Sequence, residues 1–433
     1  METTLAITVF IISYVFIMTD KINRALVALS GGLLMLLTGV YRWEDAFIDF
    51  IDWGTITLLF SMMVLISITK KTGLFEYIAI MMAQRVKGAP IPLLIVTSIF
   101  TAVGSALLDN VTTVLLFVPI LLTLTNLLHL PVFPYLLTVI LSANIGGTAT
   151  LIGDPPNIMI GQAVEHLTFM SFIVNLGPIV LLIFICTLAC LILLFRKSLR
   201  SRGDYVEELM NLNANDYIRK TPMLYQSVSV LSLTIIGFLM HAFVHIDLTT
   251  VAVCGALLLL LLTDREADAE QVFQEVEWVT LFFFIGLFML VGGLEQVGVI
   301  DELARGMMWL TEGDLPRTAI LMLWVSGLFS GVVDNIPFVA AMIPVIEELE
   351  SYGMTNLDPL WWSLALGACL GGNGTLIGAS ANVVVAGLAS SARQPIGFIK
   401  FIAYGFPVVL FSLIVSTIYI YVRYLLPFIE SSL

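Results

Sequence analysis

At four places in this chain, carboxylates and amides stand in the middle of apolar runs. Asp109, Asn110, Thr112 and Thr113 interrupt one run, and Asn144, Thr148, Thr150, Asp154 and Asn157 interrupt another. The pattern returns as Asp334 and Asn335, then as Asn373, Thr375, Ser380 and Asn382. Amide and hydroxyl oxygens beside the carboxylates Asp109, Asp154 and Asp334 suit a small hard cation or a proton, because such oxygens replace a cation's water shell. In hydrocarbon these groups are costly, so an intramembrane carboxylate is read as a cation ligand or a proton carrier. Sodium near Asn110, Asn335 and Asp154 is the specific expectation.

The polar positions sit where a helix cannot continue. Asn144 to Asn157 reads NIGGTATLIGDPPN, with Gly146, Gly147, Gly153 and two prolines in fourteen residues. Glycine adds backbone entropy cost, and proline removes a donor and clashes with the preceding turn. Gly371 to Asn382 reads GGNGTLIGASAN and repeats Gly146 to Asn157 at a shift of 225, with seven of twelve positions identical, Gly371, Gly372 and Gly378 among them. The copy has Ala379 where the first stretch has Asp154. A carboxylate that breaks the symmetry of a duplicated site is the better candidate for ion coupling. Simpler roles compete: Asp109 and Asp334 as helix caps, Asp154 as part of a local turn, the glycines as backbone devices.

The elements that must hold these openings follow from composition. Of 433 residues 59% are hydrophobic and 12% charged, and the mean hydropathy is +1.01. That exceeds what a water-soluble core needs, and the runs approach the roughly 20 residues that span a bilayer. They do not alternate, which excludes a β-barrel. The expected fold is an all-α integral membrane protein of about ten transmembrane helices plus two helical hairpins and two interrupted helices. Residues 1–195 form a first repeat, with a hairpin at 90–129 and an interrupted helix at 132–166. A cytoplasmic linker at 196–221 precedes the second repeat, 222–433, with a hairpin at 316–350 and an interrupted helix at 359–390. At the shift of 225, Trp53 matches Trp278, Gly73 matches Gly298, Pro119 matches Pro344 and Asp109-Asn110 matches Asp334-Asn335.

Each half has an odd number of crossings, so the halves enter from opposite sides and the repeat is inverted. With both termini outside, fifteen of the nineteen basic residues fall on inner links, Arg24, Lys70, Lys71, Arg200, Arg202 and Arg265 among them. Positive charge concentrates inside, which selects this orientation in a cell inner membrane. No lysine or arginine lies within the four openings, so a neutral or cationic solute fits more simply than a multiply charged anion.

Other chemistry is excluded or weak. There is no HExxH, no nucleophile and base pair, no cofactor fingerprint and no basic nucleic-acid patch, so no enzyme activity and no cofactor are expected. His241 and His245 have metal-ligand spacing at a span's end, where interfacial histidines are the plainer reading. Cys369, before the second opening, invites a thiol contact with arsenic, although one cysteine is not a trivalent arsenic site.

DNVTTVLLFVPI with ANIGGTATLIGDPPNI, then DNIPFVAAMIP and GGNGTLIGASAN, resemble the ArsB/NhaD branch of the ion transporter superfamily. This branch includes arsenite permeases, NhaD-type antiporters and the P protein, and the resemblance covers essentially the whole chain. The GDPPN form is closer to the P-protein and arsenite-permease type. The resemblance implies scaffold and transport domains, an elevator-like movement and a homodimer. It also implies that Asp109-Asn110, Gly146 to Asn157, Asp334-Asn335 and Gly371 to Asn382 line the site. The leading expectation is a secondary transporter exporting arsenite or antimonite, a small inorganic solute, with H+ or Na+ as coupling cation. Sodium/proton antiport and sodium-coupled uptake of a citrate-like carboxylate are the alternatives.

Overall fold

Apolar runs that have no water to satisfy their backbone fold into helices, since only intra-segment hydrogen bonding is available to them. The computed structural model describes residues 2–428 apart from 20, 200–205, 265 and 267. Arg200, Arg202 and Arg265 lie outside the described residues. The first half contains α1 (Glu2–Thr19), α2 (Arg24–Leu37), α3 (Trp53–Lys71), α4 (Leu74–Arg85), α5 (Pro90–Leu107), α6 (Asn110–Leu127), α7 (Val132–Gly147), α8 (Pro155–Ala163) and α9 (Phe169–Phe195). A short α10 (Val206–Asn211) lies in the linker. The second half contains α11 (Pro222–Val244), α12 (Leu248–Thr263), α13 (Ala269–Gln274), α14 (Trp278–Gln296), α15 (Val299–Thr311), α16 (Leu315–Ser330), α17 (Asn335–Ser351), α18 (Asp358–Gly371), α19 (Ser380–Ser391) and α20 (Phe398–Ile420). Eight of the described helices are long and apolar enough to cross a membrane.

The two halves repeat one another bond by bond. Ser105 Oγ donates to Ala143 O at 2.6 Å and Ser330 Oγ to Ala368 O at 2.5 Å, and both members of each pair are separated by 225 from their counterparts. Pro119 and Pro344 sit inside α6 and α17 at matching positions. The turns before α4 and α15 are made by Gly73 at φ +73° and Gly298 at φ +75°. Gly73 has a second reason to be glycine, because a Cβ there would fall 1.7 Å from Tyr217 O.

Helices α4 and α15 are an addition to the expected order. At 12 and 13 residues they are too short to span, so no apolar run announces them.

Helices α1, α2, α3, α11, α12 and α14 pack as one group, while α5 to α8 and α16 to α19 pack as another, with both hairpins and both opened helices in the second group. The linker closes onto the ends of α3 and α4: Arg219 N donates to Thr72 O at 2.8 Å, and Gln84 Nε2 donates to Leu209 O and Leu212 O. Lys70, Lys71, Arg85, Arg219 and Lys220 therefore share one face of the molecule. At the opposite face Arg305 and Arg317 are each paired with nearby carboxylates.

Candidate functional site

Helix α7 stops at Gly147 and α8 resumes at Pro155; α18 stops at Gly371 and α19 resumes at Ser380. The intervening turns lie almost wholly in the protein interior, so their carbonyls need partners. One asparagine closes each. Asn157 Nδ2 donates to Thr150 O at 2.9 Å and Thr148 O at 3.2 Å, and reaches Gly147 O at 3.4 Å. Its counterpart Asn382 donates to Thr375 O at 2.9 Å and Gly372 O at 2.7 Å. The glycines let backbones meet: a Cβ on Gly146 would lie 2.2 Å from Ala102 O, on Gly147 2.4 Å from Gly153 O, and on Gly371 2.3 Å from Gly327 O. Gly153 and Gly378 approach Gly147 O and Ser330 O in the same way. Gly146, Gly147, Gly153, Gly371 and Gly378 are packing positions here, holding α5 and α16 against the opened helices, and Gly372 packs within its own opening against Gly378 and Ala379.

The side chains then join the halves. Asn144 Nδ2 donates to Asn373 Oδ1 at 3.0 Å and to Asn382 Oδ1 at 2.9 Å, and Asn110 Nδ2 reaches Asn144 Oδ1 at 3.3 Å. Cys369 Sγ lies 3.4 Å from Asn157 Oδ1. Asp154, 1% exposed, stands at the first position before α8 yet makes no capping bond. Instead both its oxygens accept from Asn335 Nδ2 at 3.2 Å. Asp154 keeps a local turn through its backbone, where its carbonyl accepts from Asn157 N at 2.9 Å, while its carboxylate is held by the opposite half.

Asp109 does cap. Its oxygens accept from Thr112 N and Thr112 Oγ1, both at 2.7 Å, and this fixes Asp109 at φ +138°, an unusual conformation for a residue with a Cβ. Thr148, Thr150 and Thr375 turn their hydroxyls to nearby backbone. Three polar atoms in this interior have no protein partner among the described residues: Asn110 Oδ1, Thr113 Oγ1 and Asn373 Nδ2. The first two are oxygens on one face of α6, three residues apart, and suit a hard cation. Of the trio expected at sodium, Asn335 and Asp154 meet directly, while Asn110 bonds Asn144.

A residue outside the openings completes the site. Arg24, at the start of α2, extends Nη1 to Asp334 Oδ2 at 3.1 Å and to Ser380 Oγ at 2.5 Å, while Ser380 Oγ donates to Asp334 Oδ2 at 2.7 Å. The absence of a base from the four openings therefore does not carry over to the folded site. The signal for Arg24 is its position: a basic side chain in the first turn of a helix opposes the helix dipole, and so needs an acid near it.

Cavities flank the opened helices at the two ends of α14. One, of about 260 Å³, is lined by Asn23, Arg24, Asp334 and Ser380 together with Val279 and other apolar side chains. The other, of about 270 Å³, is lined by Asp49, Asp52, Glu295, Glu347 and Gln162, and has no lysine or arginine in its wall. Val279 and Glu295 are separated on α14 by about 24 Å of helix rise, which sets the cavities on opposite faces.

Two opened helices and two hairpins, repeated within one apolar chain and meeting at a buried polar centre between opposed cavities, define a multi-pass membrane transporter of the inverted-repeat class. The chain belongs to the CitMHS family, described as citrate transporters, whose sequence profile matches residues 14–367. A 46 kDa membrane protein of Mycobacterium leprae is 40% identical over 426 residues, 97% of this chain and 99% of that protein. An uncharacterized transporter of Mycobacterium tuberculosis is also 40% identical, over 97% of this chain and 98% of its own. The pig P protein is 32% identical over 98% of this chain, which spans 60% of that longer protein. Among solved structures, the Alcanivorax borkumensis YdaH transporter matches with a TM-score of 0.58 at 13% identity, over 97% of this chain and 98% of that one, a likeness of fold.

Proposed function

We propose that the protein is a cation-coupled secondary transporter of a small carboxylate-bearing anion of the citrate class. The carrying observation is that the interior holds both signs of recognition: Arg24 at Asp334 and Ser380, and the buried carboxylate of Asp154 together with oxygens on α6 that have no protein partner among the described residues. The citrate reading, disfavoured while no base stood in the openings, gains support from Arg24 and from the description of the family. Arsenite or antimonite efflux, the activity of one member type of the ArsB/NhaD branch, has the motif resemblance and, within the site, the Cys369 thiol in its favour. Among the described residues no group of three or more His, Cys, Asp or Glu gathers to hold a metal ion.

Sodium/proton antiport is the second reading, favoured by Asp154, which is buried and bonded across the halves. In either case the α5–α8 and α16–α19 group moves against the α1–α3, α11, α12 and α14 group, exposing the centre alternately to the two cavities. The Arg24 cavity faces the cytoplasm and both termini lie outside, because the described inner bases share the face of the linker.

A flux panel in proteoliposomes tests this reading, with arsenite, sodium, citrate and proton gradients imposed in turn. Citrate accumulation driven by an inward sodium or proton gradient is the expected result. Arsenite accumulation alone, or sodium/proton exchange without citrate movement, overturns it.

A further inference from the structure

The two halves differ at one point of contact between the packing groups. Arg24, Asp334 and Ser380 correspond, at the shift of 225, to Thr249, Asp109 and Pro155. In the first half Asp109 is satisfied by its own Thr112, and the Thr249 hydroxyl turns to Gly54 O. That hydroxyl also accepts from Gln162 of α8 at 3.3 Å, but of the two hairpins, among the described residues, the second alone has its tip carboxylate tied to the neighbouring group, through side chains 310 and 356 residues apart in sequence.

The tie has the composition of an anion site already holding an anion. The Arg24 guanidinium is positioned from the α14 side by the Phe283 ring, 5.0 Å from its centroid, as a cation over an aromatic face. Its described bonds all leave from Nη1. The remaining N–H groups of the fork make no hydrogen bond among the described residues and can take a carboxylate, which guanidinium binds in bidentate fashion. Glu277, just before α14, and Tyr14 of α1 are further titratable groups acting on Arg24 and Asp334 respectively. The pair borders the 260 Å³ cavity, smaller than a drug-sized pocket and suited to a small organic acid. The Arg24 side chain is 23% exposed and that of Asp334 12%, so both are shielded yet reachable from the cavity.

We propose that Asp334 is a resident carboxylate occupying the position of the solute's carboxylate, and that the solute displaces it from Arg24 and Ser380. The exchange moves no covalent bond. It leaves Asp334 with an unbalanced negative charge, which the coupling cation neutralises, and it releases the α16–α17 hairpin from α2. Anion and cation binding are thus linked through one carboxylate, and α16–α17 becomes free to move only when both are present. This rests on the reading of the solute as a small carboxylate.

The test measures citrate binding to the full-length protein in lipid nanodiscs, as a function of sodium and pH, for the wild type, Arg24→Gln, Arg24→Lys and Asp334→Asn. A label pair on α2 and α17 reports their separation by electron–electron resonance. Asp334→Asn is expected to bind citrate about tenfold more tightly, since its internal competitor is gone, and to lose most of the dependence on sodium or protons. Arg24→Gln is expected to lose binding, with Arg24→Lys intermediate. Both Arg24→Gln and Asp334→Asn are expected to broaden the α2–α17 distance without solute. Asp334→Ser replaces Asp334→Asn if the latter does not fold. A wild type that binds no citrate overturns the solute reading beneath the proposal. A wild type that binds citrate, with Asp334→Asn binding no more tightly or an unchanged α2–α17 distance in both single variants, overturns the exchange alone.

Discussion

Asn144 and Cys369 occupy equivalent positions of the two halves, 225 residues apart, and each reaches the asparagine that closes the opposite opening. Asn144 Nδ2 lies 2.9 Å from Asn382 Oδ1, and Cys369 Sγ lies 3.4 Å from Asn157 Oδ1. The contact is symmetric in place and asymmetric in strength, an amide in one half and a weak thiol donor in the other. Cys369 is fully buried, so N-ethylmaleimide is expected to leave it unmodified in the folded protein. Peptide mapping after native and denaturing labelling checks this. Modification of Cys369 under native conditions would show that the two openings separate from one another.

Asp154→Asn is expected to abolish cation-coupled flux while leaving the protein monodisperse, because an amide oxygen still accepts from Asn335. Removing the charge removes the group a cation or proton needs. Full gradient-driven flux in this variant would reduce Asp154 to an architectural residue.

Asn110 Oδ1 and Thr113 Oγ1 have no protein partner among the described residues, and either oxygen lost weakens a site for a hard cation. If sodium is the coupling cation, Asn110→Ala or Thr113→Val raises its half-saturating concentration by about tenfold. Citrate affinity at saturating sodium stays closer to the wild type. Flux titrated against sodium reads the difference, and an unchanged sodium dependence in both variants removes α6 from the cation site.

The glycine contacts predict opposite outcomes for one substitution. Gly146→Ala and Gly371→Ala each force a Cβ into a backbone carbonyl, 2.2 Å and 2.3 Å away, at a cost of about 1–3 kcal/mol from overpacking. Gly306→Ala, within α15 with nothing within 4 Å, is expected to be neutral or to stabilise by up to about 1 kcal/mol through helix propensity. Thermal unfolding in detergent ranks the three.

Local physical chemistry made much of this molecule legible in the chain itself. Pairs such as Gly31-Gly32 and Gly177-Pro178 stay helical, but the denser runs of glycine, proline and polar residues at Gly146 to Asn157 and Gly371 to Asn382 open the chain, so these openings were legible from residue type, as were the Asp-Asn hairpin turns. The repeat at 225 follows from the same positions and is repeated in the paired bonds of Ser105 and Ser330. Helices α4 and α15 were not legible, because at 12 and 13 residues neither has a run long enough to span.

Partner choice across distance belonged to the tertiary structure alone. The sequence offers Asp154 as a coupling carboxylate or a turn residue and Arg24 as a base on an inner link, and names no partner for either. Folding instead brings Asn335 to Asp154 across 181 residues and Arg24 to Asp334 across 310. The chain determined where its helices open. Only packing decided which charges meet there, because an ion pair depends on separation in space and local sequence rules carry no term for it.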